Sequence, residues 1–206
     1  MKFNKKDLKT LTNIIASRRD VRGNNFINKK ISSKKLNIIL QSALNAPSVG
    51  FSQPWKFIIV DKDKQDLVYT HFKKSFEKSK KKFIDRPLYS SLKLEGIKES
   101  DINIAVYYKK SSSNTLGQTY MKRTGEYSVF CAILNMWLTA RALNIGMGWV
   151  SILKPKKINK IFNMNKNQYK FIAYLCLGYT KEFYDEPELK KLKWNKKINL
   201  DKCIIS

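Results

Sequence analysis

Hydrophobic positions change their period several times along the chain, and each change marks an element. Over residues 8–17, Leu8, Leu11, Ile14 and Ile15 recur at helical spacing, which predicts an amphipathic helix. Ser32 or Ser33 is placed to cap a second helix, whose buried face is Leu36, Ile39, Leu40 and Ala43; Pro47 stops it. Residues 55–60 form a short run apolar enough to predict a central strand. Residues 63–83 are helical in pattern and highly charged, and residues 87–100 are expected to add a second helical stretch. A strand follows at 102–108. Residues 109–124 are polar, with Gly117 and three consecutive serines, and predict a loop or lid. Residues 127–144 are apolar on nearly every side of a helix, with Gly146 suited to the C-terminal cap. Further strands are expected at 147–153 and 171–177, with a short helix at 156–162 between them.

These elements sum to an α+β fold, a mixed central sheet surrounded by helices, without internal repeats. At 206 residues one sizeable core is expected, so 1–206 is a single domain, with the polar stretch 183–206 as a C-terminal arm. A helix that is apolar all round must be enclosed by protein. In so short a chain a subunit interface is the natural enclosure, so the expectation is an intertwined homodimer, with the arm packing on the second subunit. The N-terminal residues lack the apolar core of a secretory signal. The longest apolar stretch, 129–145, carries Asn135 and Arg141 and falls short of the ~20 residues that span a bilayer. A soluble, cytoplasmic protein without a membrane partner is expected.

Charge sharpens the picture less than its size suggests. There are 41 basic and 16 acidic residues, a formal balance of +25. Only Arg18, Arg19, Arg22, Arg86, Arg123 and Arg141 are arginines; the other basic residues are lysines scattered over nearly every segment. Dispersed lysine describes a solvated surface, whereas a nucleic-acid binder concentrates its bases beside stacking aromatics. No nucleic-acid partner is expected. Cys131, Cys176 and Cys203 are widely spaced and odd in number, which argues against a disulfide framework. His71 is the only histidine, so neither a zinc site nor a histidine-based triad is expected, and no metal.

Three segments are candidates for chemistry. Half of the arginines fall within residues 18–22, at a turn before Gly23. The planar guanidinium fork suits phosphate, although basic side chains also neutralise a helix C-terminus. Asp20 sits among them, either as a carboxylate held ionised by its cationic neighbours or as a partner that orders them. The loop at 46–55 offers Ser48, Val49, Gly50, Ser52 and Gln53, where Gly50 permits close backbone approach to a flat ligand. Gly146 and Gly148 lead into Trp149, Val150 and Ser151 and offer a second close approach, although without a dinucleotide fingerprint.

Arg18-Arg19-Asp20-Val21-Arg22 with Phe26 resembles the opening motif of the flavin-binding nitroreductase superfamily. Residues 46–50 with Gln53-Pro54-Trp55 resemble its dimethylbenzimidazole synthase branch. So do residues 92–97 around Leu94, Tyr127-Ser128, 135–138, 146–152, 175–179 and 186–189. The likeness runs from about residue 14 to 195. It implies a homodimer with FMN between subunits, in which Arg18, Arg19, Val21 and Arg22 contact the phosphate and ribityl chain. It also implies that Ser48, Val49, Gly50, Gln53, Leu94, Val150 and Ser151 line the flavin, and that Asp20 and Ser151 are catalytic. The implied reaction converts reduced FMN and oxygen to 5,6-dimethylbenzimidazole, the lower ligand of cobalamin, and a sugar phosphate. The electron donor is open between NAD(P)H and a separate flavin reductase. A generic NAD(P)H-dependent nitroreductase or dehalogenase of the same fold is the alternative. Where relatives of that branch carry arginines after the C-terminal Trp, this chain has Asn195, Lys196 and Lys197, so a phosphate contact from the arm would fall to lysine.

Overall fold

The computed structural model describes residues 1–205. The first helix, α1 (Lys5–Ser17), opens with a capping box: the Asn4 side chain accepts from the Lys6 and Asp7 amides, and the Asp7 carboxylate accepts from the Asn4 amide. Helix α2 (Ser33–Leu44) is capped by Ser32, whose hydroxyl accepts from the Lys35 amide, and buries Ile39 and Ala43 as its pattern predicts. Strand β1 (Trp55–Ile59) leads to α3 (Lys62–Lys80), which turns Val68 and Phe72 inward. After the single turn α4 (Leu88–Ser91) come β2 (Ile102–Lys109), α5 (Thr124–Ala142), β3 (Gly146–Val150), α6 (Pro155–Ile161), β4 (Tyr169–Gly178) and the one-turn α7 (Glu188–Lys191).

The four strands form one sheet in the order β1-β2-β4-β3. All three ladders are antiparallel, so the expected mixed sheet carries its parallel component only in a bridge from Asp20 to Met147. Strand β1 lies at the edge rather than the centre; Lys56 and Ile59 are exposed there, while Trp55 and Phe57 face one core and Ile58 the other. The centre belongs to β2 and β4. Their alternate residues feed two cores: Ile104, Val106, Ala173 and Leu175 pack with α2 and α5, whereas Ala105, Tyr107, Tyr174 and Cys176 pack with α3 and α6. A strand buried on both faces loses polar alternation, which is why β2 and β4 are apolar throughout.

Two further expectations are corrected. Residues 92–100 are not helical: after Ser91 the chain extends, and the Gly23 amide donates to the Glu95 carbonyl at 2.8 Å. Gly96 is held by a close approach, since an added Cβ would strike the Phe26 ring. Nor does Gly146 cap α5. Asn144 takes the left-handed position with φ 55°, and Gly146 is already in β3.

Helix α5 buries Val129, Ala132, Ile133, Met136 and Ala140 but leaves Tyr127, Phe130 and Leu134 exposed. Helix α1 buries nothing, and its Leu8, Leu11 and Ile15 are half exposed. Cys176 is fully enclosed, and burial pushes its thiol up to about 12, which removes it as a nucleophile. His71 is partly buried on α3, where its Nε2 accepts from the Lys154 amide; desolvation, then Lys157 and Lys154, lower its pKa. Among the described residues no helix is long and apolar enough to cross a membrane.

Candidate active site

The arginine turn leaves α1 and runs beside the exposed edge of β3. The Val21 amide donates to the Met147 carbonyl at 3.0 Å, and the Trp149 amide donates to Asp20 Oδ1 at 3.0 Å. So close an approach needs Gly148, where a Cβ would collide with the Val21 carbonyl. Asp20 and Arg22 form an ion pair, and Arg22 Nη1 also donates to the carbonyls of Leu94 and Trp149, each at 3.1 Å. The extended stretch after α4 therefore brings Leu94 to the site through its backbone.

Burial acts on Asp20 against its neighbours. A third of the side chain's surface still reaches solvent, and both carboxyl oxygens have partners, Oδ1 the Trp149 amide and Oδ2 the Arg22 guanidinium. Desolvation raises its pKa above the ordinary aspartate value. Arg22, the Trp149 amide and Arg18 pull it down by less, and Glu188 adds to the rise. The arginines do favour its ionised form, as expected, but burial outweighs them. A paired carboxyl that burial nonetheless raises is a candidate for proton exchange as well as for ordering its partners.

The three arginines of the turn differ sharply. Arg18 stacks over the Trp137 ring at 4.8 Å, and among the described residues its guanidinium has no carboxylate or carbonyl partner. Arg22 is largely buried and committed to Asp20 and two carbonyls. Arg19 is bound entirely to backbone: Nε donates to the Tyr184 carbonyl at 2.8 Å, Nη1 to those of Ala16 at 2.7 Å and Arg18 at 2.8 Å, and Nη2 to that of Asp185. Val150 is buried beneath this edge, and Ser151 is exposed just past the end of β3.

The second candidate segment lies elsewhere. Residues 48–53 form a tight turn in which Gly50, Phe51 and Gln53 all have left-handed backbones, φ 54°, 51° and 45°. Two of these are not glycine, and such strain gathers at functional sites. The turn is anchored by few bonds: the Val49 amide donates to the Ser128 hydroxyl at 3.1 Å and the Gln53 amide to the Ser48 hydroxyl at 3.2 Å. Gln53 and Phe51 are exposed, and Ser48 and Val49 half so. Residues 115–117 of the polar connection lie on it, with the Leu116 carbonyl 2.8 Å from where a Gly50 Cβ would sit.

The two segments lie on opposite edges and at opposite ends of the sheet: β1 starts at Trp55, level with Tyr108, whereas Asp20 bridges Met147, level with Leu177 and Ile102. Three strand spacings amount to roughly 14 Å across the sheet, and the stretch from Ile102 to Tyr108 to roughly 20 Å along it. Helix α5 spans part of the same gap, touching the strained turn at Ser128 and the arginine turn at Trp137, whose Nε1 donates to the Arg19 carbonyl at 3.1 Å. Nine residues of helix rise roughly 13.5 Å. The structure thus gathers Arg18, Asp20, Val21, Arg22, Leu94, Val150 and Ser151 at one place and Ser48, Val49, Gly50 and Gln53 at another. It leaves exposed Phe130 and Leu134 on the helix between them.

Sequence reasoning missed Trp137, Trp149 and Glu188 as parts of this site, and looked to Lys196 or Lys197 for the arm's contribution. The arm also packs on its own chain: Phe183 joins the α3–α6 core and Trp194 sits 5.9 Å from Phe83 under Arg86. The one available signal was the aromatic spacing of 183–194, which has no period to interpret.

The nitroreductase family model matches residues 15–179. A curated 5,6-dimethylbenzimidazole synthase of Rhodospirillum rubrum is 36% identical over 182 residues, covering 86% of this chain and 85% of that protein. A second protein of that name, from Rhodobacter capsulatus, is 30% identical over 203 residues, covering 96% and 97%. Among solved structures, an FMN complex of a nitroreductase-type protein from Desulfovibrio desulfuricans superposes with a TM-score of 0.71 at 16% identity, over 100% of this chain and 98% of that one.

Proposed function

The chain belongs to the nitroreductase family, and from that premise we propose that it fragments reduced FMN with oxygen to 5,6-dimethylbenzimidazole, releasing a sugar phosphate. The observation that carries this reading is Asp20: a carboxyl raised by burial, yet paired with Arg22 and held by the Trp149 amide, on a turn that also presents the free guanidinium of Arg18. A reductase that recycles its flavin needs the grip but no acid–base group beside the ribityl chain. The relatives that share the name of this activity cover nearly their whole length.

The residues fit FMN. Arg18 offers an unengaged fork backed by an aromatic face, which suits a phosphate dianion. Arg22 is fixed by two carbonyls, so it meets a ligand without having to be ordered first. Reduced FMN, when bound, supplies the electrons that oxygen takes and the carbon chain that is cut. Asp20 is placed to take a proton at one carboxylate oxygen while Arg22 steadies the other. Ser151, at the open end of β3, offers a hydroxyl where the flavin ring would face oxygen.

The strained turn at 48–53 belongs to the same site in this reading, but it is supplied by a second copy. Within one chain it lies across the full width of the sheet from the arginine turn, roughly 14 Å by the strand spacing, and at the sheet's other end. The exposed faces of α1 and α5 have the composition of a subunit interface. A dimer joins the halves and covers Tyr127, Phe130 and Leu134.

The test is a single turnover. Reduced FMN bound without oxygen is exposed to air, and products are identified by mass spectrometry. The expected result is dimethylbenzimidazole together with loss of flavin. Quantitative return of oxidised FMN would overturn the reading in favour of a recycling reductase.

A further inference from the structure

Arginine turns in this position invite the assumption that every guanidinium grips the ligand. Arg19 does not fit it. Four of its five N–H groups already donate to carbonyl oxygens, two on its own turn and two on the C-terminal arm. A phosphate would have to displace four bonds already made, two of them to partly buried carbonyls.

We propose that Arg19 is a positioning residue: it clasps residues 182–188 over the Asp20–Arg22 pair, and the site is complete only while that clasp holds. The path of the arm supports this. Its root runs against residues 25–27: the Ile27 amide donates to the Tyr179 carbonyl at 2.9 Å, the Lys181 amide to the Asn25 carbonyl at 2.9 Å, and Asn25 Nδ2 to the Glu182 carbonyl at 2.8 Å. Arg19 takes the next two carbonyls. Beyond it, Asn24 Nδ2 donates to Glu188 Oε1 at 3.3 Å. Between these fastenings, Arg19, Asp20, Arg22, Asn24, Glu182, Tyr184 and Glu188 enclose a cavity of only about 10 Å³, too small for more than one water. The clasp also ties the arm to α1, because the Ala16 carbonyl at the helix end is one of its acceptors.

The clasp makes a prediction whose sign separates it from a direct electrostatic role. The groups facing Asp20 are Arg22 and Arg18 from its own turn, the Trp149 amide from β3, and Glu188 from α7. Removing a nearby cation would raise the Asp20 pKa. Releasing the arm would admit water and withdraw Glu188, and both changes lower it. This part rests on the reading of Asp20 as the proton-handling group.

The experiment compares Arg19→Ala, Arg19→Lys and Arg18→Ala. The first readout is amide hydrogen exchange over 182–188 in the protein without FMN, which is independent of any activity. Exchange there should accelerate tenfold or more in Arg19→Ala and substantially in Arg19→Lys, which keeps charge but loses the fork, and stay near wild type in Arg18→Ala. FMN affinity should change less than threefold in Arg19→Lys and at least tenfold in Arg18→Ala. The pH limb of single-turnover product formation should move to lower pH in both Arg19 variants. An arm that stays protected in Arg19→Lys and Arg19→Ala, or a limb that moves up, would overturn the proposal. Should no benzimidazole form in any protein, the reaction assigned above falls, while the exchange result still decides the clasp.

Discussion

The arginine turn and the strained turn at 48–53 are built on opposite plans. At the arginine turn almost every polar group is committed before any ligand arrives. Arg19 and Arg22 hold carbonyls, Asp20 holds Arg22 and an amide, and Gly148 lets the backbones touch. At the strained turn the backbone is fixed in a left-handed run, but its side chains are exposed and its anchors are two hydroxyls. The first plan suits a charged end that must be gripped and a proton that must be moved. The second suits a flat, uncharged ring, approached by backbone and covered by residues 115–117. If that division is right, substitutions on the two sides should fail in different ways.

The largest effect should come from Asp20→Asn, which keeps the shape and loses the titrating oxygen. Acid–base groups contribute about 10²–10⁴-fold, so benzimidazole formation in a single turnover should fall at least a hundredfold. FMN should still bind, since Arg18 is untouched. The raised pKa fixes the pH dependence of the parent protein. If Asp20 acts as the base, turnover should rise with pH through a limb above the ordinary aspartate value, and that limb should vanish in the variant. Unchanged turnover in Asp20→Asn would leave the carboxyl as no more than a tether for Arg22.

Next comes Arg18→Ala, which removes the free fork. A hydrogen bond to a charged group contributes about 1.5–3 kcal/mol, so FMN affinity should drop by roughly ten- to a hundredfold in titrations of flavin fluorescence. Because the bond is to phosphate, riboflavin should bind the variant and the parent alike. Equal losses for both ligands would place Arg18 against some other part of the flavin.

Much of this was legible in the sequence, and the parts that were not have a common cause. Periodicity located α1, α2, β2 and β4 because burial there repeats at helix or strand spacing. The scarcity of arginine picked out 18–22. The helical expectation for 87–100 holds only for Leu88–Ser91; beyond it Leu92, Leu94 and Ile97 imitate helical spacing, whereas in the fold Leu94 is held through its carbonyl by Arg22. Gly146 was taken as a cap because glycine suits αL, but Asn144 reaches the same conformation two residues earlier. The role of Arg19 was invisible for a stronger reason. Its two acceptors on the arm are backbone carbonyls more than 160 residues away, and a carbonyl leaves no mark in the sequence.

On the strained side the effect should be on stability first. Gly50→Ala forces an L-residue into φ 54° and brings a methyl near the Leu116 carbonyl and Thr115. The left-handed conformation costs roughly 1–2 kcal/mol. The denaturant midpoint should shift accordingly, while Arg18-dependent phosphate binding persists. A neutral Gly50→Ala would mean that the turn relaxes freely and that its strain has no bearing on the site.

The smallest effect is also the one that addresses both regions at once. If the halves of each site come from different subunits, a dimer has two sites, each pairing one subunit's arginine turn with its partner's strained turn. Asp20→Asn disables the first half and Gly50→Val the second, so each variant alone is inactive. In a mixed dimer both lesions fall in the same site, and the other site is intact. Random co-assembly of equal amounts makes half of the dimers mixed, so about a quarter of the parent activity should return, roughly fourfold below wild type. The variants are co-expressed with different affinity tags, the mixed species is isolated, and single-turnover product is compared with each homodimer. The isolated mixed dimer should reach about half of wild type. Activity no higher than in either homodimer would mean that the two turns serve one subunit, and the width and length of sheet between them would then have to be closed by movement within a chain.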